Sequence, residues 1–247
     1  MATSSGVGAG DGSPAGPPRV GRRRDPKADA RRRFAVALAG VALYVVLDAV
    51  AQVLPPHYSP ISQAESDLAV GSFGYVMTVN FLNRGVLSLE FLFAFAGTVR
   101  LAGGSVKKYQ GGLMLLGAWS VGAILLAAFP TDVPPTPVSW HGAIHLIVAI
   151  VAFIAGGFGA LLVSLRMSGD QAFRRVRRVA LPIGVLAAVL CLVELSLPFI
   201  APHVSTGYGG LAERLFLGSV LLWVAAVSAL MLKGGLLSTR DHERFAR

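Results

Sequence analysis

The sequence has a single cysteine, Cys191, and few charges: only 14% of its 247 residues are Asp, Glu, Lys or Arg. One cysteine excludes an intramolecular disulfide, so no covalent staple supports the fold. Soluble domains carry about a quarter charged residues, whereas 54% of this chain is hydrophobic. One water-facing core cannot hide that much apolar surface. An ordinary soluble enzyme, a disordered chain and a disulfide scaffold are excluded, and a polytopic membrane protein is implied. Cys191 lies inside an apolar run and reads as a small packing residue.

Lysine and arginine are missing from particular places. Six apolar runs reach the length of about 20 residues that crosses a bilayer: 34–54, 75–99, 112–129, 141–165, 179–200 and 213–232. With no water in the hydrocarbon core, backbone groups must pair within each run, which predicts six helices. The first, third and fifth connections hold no Lys or Arg. The N-terminal segment holds eight, the second connection three, the fourth five and the C-terminal segment four. This alternation is a positive-inside pattern. It predicts an all-α bundle in the plasma membrane, with both termini cytoplasmic and three hairpin tips outside. It also accounts for the net charge of +9 without any nucleic-acid partner.

The expected organisation is a disordered basic cytoplasmic tail over 1–33, a transmembrane domain over 34–232 and a short cytoplasmic tail over 233–247. The first tail is polar, rich in Gly, Pro and Arg, and lacks the apolar stretch of a signal peptide. Its Arg19, Arg22, Arg23, Arg24, Lys27, Arg31, Arg32 and Arg33 abut the first apolar run. They are suited to anionic lipid headgroups, or simply to setting topology. On the fourth run, Ala149, Ala152, Gly156 and Gly159 recur at helical steps and predict close helix packing.

The acids gather opposite the basic loops. Asp48, Glu65, Asp67, Asp132, Glu194 and Glu213 fall outside or in the outer half of the membrane, with His57, His141, His145 and His203. Ionisable groups in a bilayer face the bundle interior and often mark function. Asn80, Asn83 and Arg84 share one face of the second helix, by their spacing of three and four residues. Arg84 needs a counter-charge, and Asp48, Glu194 and Glu213 lie at comparable depth. Such a pair either pins helices together or contacts a ligand or ion. Glu213 and Arg214 open the sixth run. Glu90 lies deeper, as a second buried acid or a protonated one.

His141 and His145 are one helical turn apart, a spacing that can hold zinc with a third ligand such as Asp132, Asp67, His57 or His203. The structural alternative is two histidines at a helix start, bonded to the connection before it. That connection carries four prolines between Phe129 and His141, which make a stiff ledge. Ser139 is placed to cap the fourth helix, and Trp140 to anchor it at the interface.

The outer residues carry a resemblance. Tyr58-Ser59-Pro60-Ile61-Ser62 with Ser66-Asp67-Leu68, Phe129-Pro130-Thr131-Asp132, His141-Gly142-Ala143-Ile144-His145 and Gly210-Leu211-Ala212-Glu213-Arg214 resemble the recurring motifs of a prokaryotic membrane family, domain of unknown function 998. The resemblance covers roughly 34–232 and implies a multi-helix membrane fold with a polar outer face, but no reaction. A looser similarity is to membrane hydrolases of the alkaline-ceramidase type, which have seven helices and a zinc site of three histidines with an Asp and a Ser nearby. Here His141, His145, Asp67 or Asp132, and Ser62 or Ser66 would stand in that role.

Three functions follow. One is a non-enzymatic membrane protein with a structural or partner-binding outer site. The second is a metal-dependent lipid hydrolase in which Asp132, His141, His145 and Asp67 are the candidate catalytic groups. The third is a small transporter with Arg84 and Glu194 in its pathway.

Overall fold

The computed structural model describes residues 25–234 and Leu237. Among these residues there is no strand, and six helices are long and apolar enough to cross a membrane. They are α1 (Pro26–Val53), α2 (Gly74–Leu101), α3 (Gln110–Ala128), α4 (Trp140–Arg166), α5 (Arg174–Ile200) and α6 (Pro202–Lys233). Each helix packs on its sequence neighbour, and α6 closes the ring on α1 across the lightest seam. Inside the ring, α6 touches both α2 and α4. The first, third and fifth connections lie at one end, here called distal. The start of α1, the other two connections and the finish of α6 lie at the proximal end.

Every helix starts before its apolar run, and α1 and α6 do so by the most. The expectation of an irregular tail as far as Arg33 is corrected: α1 begins at Pro26. The Asp25 carboxylate accepts the Lys27 N–H at 2.9 Å, and Pro26 occupies the first turn, where its missing N–H costs nothing. Asp29 then pairs with Arg32 and Arg33 along the helix face. Residues 1–24 of the expected tail, with Arg19, Arg22, Arg23 and Arg24, lie outside the described residues, as do Arg240, Arg244 and Arg247.

Helix α6 starts at Pro202 rather than at Glu213, again with proline in the first turn. The added turns have a partner in the first connection. Leu211 donates its N–H to the Ile61 carbonyl at 2.9 Å. Gly210 lies so close to the Gln63 carbonyl that any Cβ would collide with it.

The proximal half is held by aromatic rings that meet edge to face. Phe91 meets Trp223 and Phe95 meets Tyr109, each at 5.2 Å between ring centres. Glu90 is neither isolated nor unpaired: Arg33 Nη1 lies 2.9 Å from its Oε2. The stripe of small residues on α4 works as the sequence indicates. The face of Gly156 receives the Trp119 ring, Gly159 receives Leu116, and Ala152 packs against Gly122. Cys191 is fully buried, against Gly157.

Candidate functional site

In the distal half of the bundle several ionisable side chains gather around Arg214. Its Nη1 donates to the carbonyls of Pro60, Gln63 and Gly210 at 3.0–3.1 Å. Its Nη2 donates to the Tyr58 hydroxyl at 2.5 Å and stands 4.0 Å from Asp48 Oδ1. The Tyr58 hydroxyl in turn donates to the Ala64 carbonyl at 2.8 Å. A planar guanidinium with five fixed N–H groups can bind several carbonyls at once, which an ammonium on a flexible stem cannot. Arg214 therefore clamps the first connection onto the distal part of α6.

Next to the clamp lies Glu65, in a 3₁₀ turn spanning Glu65–Ala69 and only 1% exposed. Its carboxylate accepts a short hydrogen bond from the Tyr44 hydroxyl of α1. Its N–H is taken by Glu213 Oε2 of α6 at 2.8 Å. Burial pushes the Glu65 carboxyl up to about 8, helped by the neighbouring acids Asp48 and Glu213 and opposed by Arg84. The same cause, loss of water, raises Asp67 in this turn and takes the Tyr58 phenol up to about 12.

Arg84 is 1% exposed, yet no acid lies within 4.0 Å of it among the described residues. The expected pairing with Asp48, Glu194 or Glu213 is corrected. Asp48 faces Arg214 and takes a hydrogen bond from Gln52 at 2.5 Å; Glu213 holds the Glu65 N–H; Glu194 Oε2 is enclosed without a partner. Arg84 instead lies between two ring faces, Trp119 at 4.7 Å and Phe81 at 5.2 Å. Its neighbours on the same face bind α1. Asn83 donates to the Gly40 carbonyl at 2.9 Å and Asn80 to the Tyr44 carbonyl at 3.2 Å.

The third connection forms a separate local network. Asp132 accepts from the Ser139 N–H at 2.6 Å and from the Ser139 hydroxyl at 2.9 Å. Ser139 caps α4 by accepting the Gly142 N–H at 3.1 Å. Gly142 must lack a side chain, because a Cβ would run into the Asp132 carboxylate. His145 is buried, with Nδ1 at 2.7 Å from the Phe129 carbonyl. His141 is half-buried beside Trp140. Among the described residues no three His, Cys, Asp or Glu side chains converge as a metal ion would require.

Sequence reasoning missed Tyr44 and Trp119, and passed over Glu65 as one acid among several. Tyr44 sits in an apolar run with only its hydroxyl as a signal. Glu65 directly precedes the Ser66-Asp67-Leu68 motif, so its position was visible though its burial was not.

One groove opens beside this network, at the seam between α1 and α6. It has a volume of about 350 Å³. Tyr44, Asp48, Glu65 and Arg214 stand at its distal end, and Val41, Val45, Leu217, Leu221, Leu222 and Ala225 form the rest. The groove therefore has a polar mouth and an apolar wall.

No curated protein and no solved structure matches the chain. The family model described as "Protein of unknown function (DUF998)" matches residues 38–230, which is most of the chain and all six helices in whole or in part. An integral membrane protein of the DUF998 family is thus what the helices, their order and this polar end amount to.

Proposed function

We propose that the chain is a multi-pass plasma-membrane protein, with both termini cytoplasmic, that works without catalysis by holding a membrane amphiphile between α1 and α6. The absence of Lys and Arg from the distal connections supports the orientation. The observation that carries the binding reading is the groove, whose polar mouth and apolar wall match a molecule with one polar end and one chain.

The state of the distal polar residues supports a scaffold rather than a reaction centre. Arg214 is bonded to four groups of the protein, Asp132 to Ser139, His145 to a main-chain carbonyl and Glu213 to a main-chain N–H. These side chains fix the shape of the groove mouth. A metal-dependent hydrolase would need His141 and His145 free to meet a third ligand, and a transporter would need a passage reaching Arg84.

Gly218 provides the test. It lines the groove, and a Cβ there meets no atom within 4 Å. Gly218→Phe should fill the groove without moving the backbone. Full-length protein, purified in mild detergent, is expected to retain lipid visible by native mass spectrometry, and the variant is expected to lose it. Equal retention by both proteins would overturn the reading. Orientation is tested with a cysteine at Thr136 and an impermeant maleimide on intact cells, since buried Cys191 gives little background. Labelling only after lysis would reverse the topology.

A further inference from the structure

The starts of α1 and α5 lie at the same proximal end and are both basic, but their charges are met differently. On α1, Arg32 and Arg33 pair with Asp29, Arg33 also reaches Glu90, and Arg31 donates to the carbonyls of Leu232 and Leu237 at 3.3 Å. On α5, Arg174, Arg175, Arg177 and Arg178 crowd the first two turns, with no acid in the first turn and no side-chain cap. Among the described residues none of these four has a carboxylate within 4.0 Å. The acid nearest in sequence, Asp170, accepts from the Tyr109 hydroxyl at 3.3 Å instead.

Such a cluster is unfavourable by itself. Like charges three and four residues apart on a helix repel, and the positive end of the helix dipole adds to the repulsion. An anion supplied from outside these residues relieves both.

A pocket stands ready for that anion. Between the start of α5 and the finish of α6 lies a cavity of about 350 Å³, with Gln171, Arg175, Val176, Leu230, Met231 and Lys233 in its lining. Its charged lining residues, Arg175 and Lys233, are both cations from different helices. Both are exposed, as is Gln171, so the polar side of the pocket opens to the surface. Val176 and Met231 are buried and form an apolar floor. The apolar run of α5 begins at 179 and that of α6 ends at 232. The two cations therefore stand just outside the hydrocarbon, at headgroup level.

The anion abundant at that depth is a lipid phosphate, and basic pockets between membrane helices suit it. A phosphate can accept from the guanidinium and the ammonium together, with the Gln171 amide as a further donor. No carboxylate lines the pocket. The ammonium of a zwitterionic head finds no partner there and is repelled by both cations.

We propose that the proximal α5–α6 pocket binds an anionic phospholipid, its phosphate held by Arg175 and Lys233 and its first carbons against Val176, Leu230 and Met231. This site is separate from the α1–α6 groove.

The test uses delipidated full-length protein in detergent and two probes with the same acyl chains, dioleoyl phosphatidylglycerol and dioleoyl phosphatidylcholine. Occupancy is read by native mass spectrometry. Phosphatidylglycerol is expected to bind about tenfold more tightly than phosphatidylcholine, and the double variant Arg175→Gln/Lys233→Gln to remove that advantage. The control Arg100→Gln/Arg166→Gln removes two exposed cations in the last turns of α2 and α4, outside the pocket lining, and is expected to leave it intact. Gly218→Phe, which fills the other groove, should also leave it intact. Equal binding of the two probes by wild type overturns the proposal without reference to any variant. Equal losses in the two double variants would replace the pocket by a diffuse attraction of the whole basic end. A rise in phosphatidylglycerol binding on Asp241→Asn/Glu243→Gln would make the C-terminal segment the occupant, and competition by millimolar inorganic phosphate would make it a soluble anion; either overturns the lipid assignment.

Discussion

The guanidinium of Arg84 lies 4.7 Å from the ring centre of Trp119, and this contact replaces the carboxylate that such a buried cation would ordinarily require. A buried cation with no carboxylate within 4.0 Å pays a desolvation penalty that aromatic faces offset only in part. Its Nε and Nη2 have no hydrogen-bond partner in the structure. Replacement by an apolar side chain of similar length should therefore relieve the fold. Arg84→Met is expected to keep or raise the melting temperature in detergent. A fall of many degrees would mean that Glu65 and Glu213, through their charge, depend on Arg84 at longer range.

Trp119 is held against Arg84 by the missing side chain of Gly156. A Cβ built on Gly156 falls 2.6 Å from the Trp119 ring, whereas one on Gly97 meets nothing within 4 Å. Gly156→Ala is expected to destabilise by about 1–3 kcal/mol through overpacking. Gly97→Ala, in an open helical position, is expected to stabilise by about 0.5–1 kcal/mol. Chemical denaturation of both variants in the same detergent checks the sign of each.

The clamp at Arg214 predicts a difference between two cations. Arg214→Lys keeps the charge but loses the fork that reaches the carbonyls of Pro60, Gln63 and Gly210 together. Faster hydrogen exchange over residues 58–64 is expected, with the third connection unaffected. Tyr58→Phe should give a smaller increase in the same segment, because it removes one bond to Arg214 and those to Gln63 and Ala64. Unchanged exchange in Arg214→Lys would show that the connection is held by its apolar contacts alone.

Glu65 makes stability depend on pH. Its folded value is about 8, against an ordinary 4.5. Between these values the folded protein keeps a proton that the unfolded chain gives up, so stability falls as pH rises through the window. Below it and above it, this residue contributes no slope. Glu65→Gln preserves an acceptor for Tyr44 and removes the ionisation. The melting temperature of the wild type is expected to drop across that window, and the curve of Glu65→Gln to be flatter. Parallel curves would assign the slope to other groups.

The cap of α4 gives a local prediction. Ser139→Ala removes the acceptor of the Gly142 N–H and one donor to Asp132, and should cost about 1 kcal/mol. Asp132→Asn should cost less, since it keeps an oxygen for the Ser139 N–H. Thermal unfolding orders the two.

The number of helices and their spans were legible from sequence because the solvent dictates them. A backbone in hydrocarbon has to close its own hydrogen bonds, and the apolar runs mark where that holds. The cap at Ser139 and the small stripe at Gly156 were legible too, since both follow from spacing along one helix. The early starts of α1 and α6 were not, because polar turns outside the apolar runs carry no hydropathy signal. Their signals were the prolines at Pro26 and Pro202; the first turns of α1 are held by its own Asp25 cap and Asp29 pairs, those of α6 by the first connection.

Which acid meets which arginine was decided only by the tertiary structure. Depth in the membrane can be counted along each helix, so Asp48, Glu194 and Glu213 were all at the right level for Arg84. Rotation about the helix axis and order around the ring cannot be counted in that way. Closure of α6 onto α1 brought Asp48 to Arg214, while α3 brought Trp119 to Arg84. Sequence alone determined a six-helix membrane bundle with one polar end; the packing of non-adjacent segments determined the charges' partners and the groove, because those depend on contacts between faces that no single helix encodes.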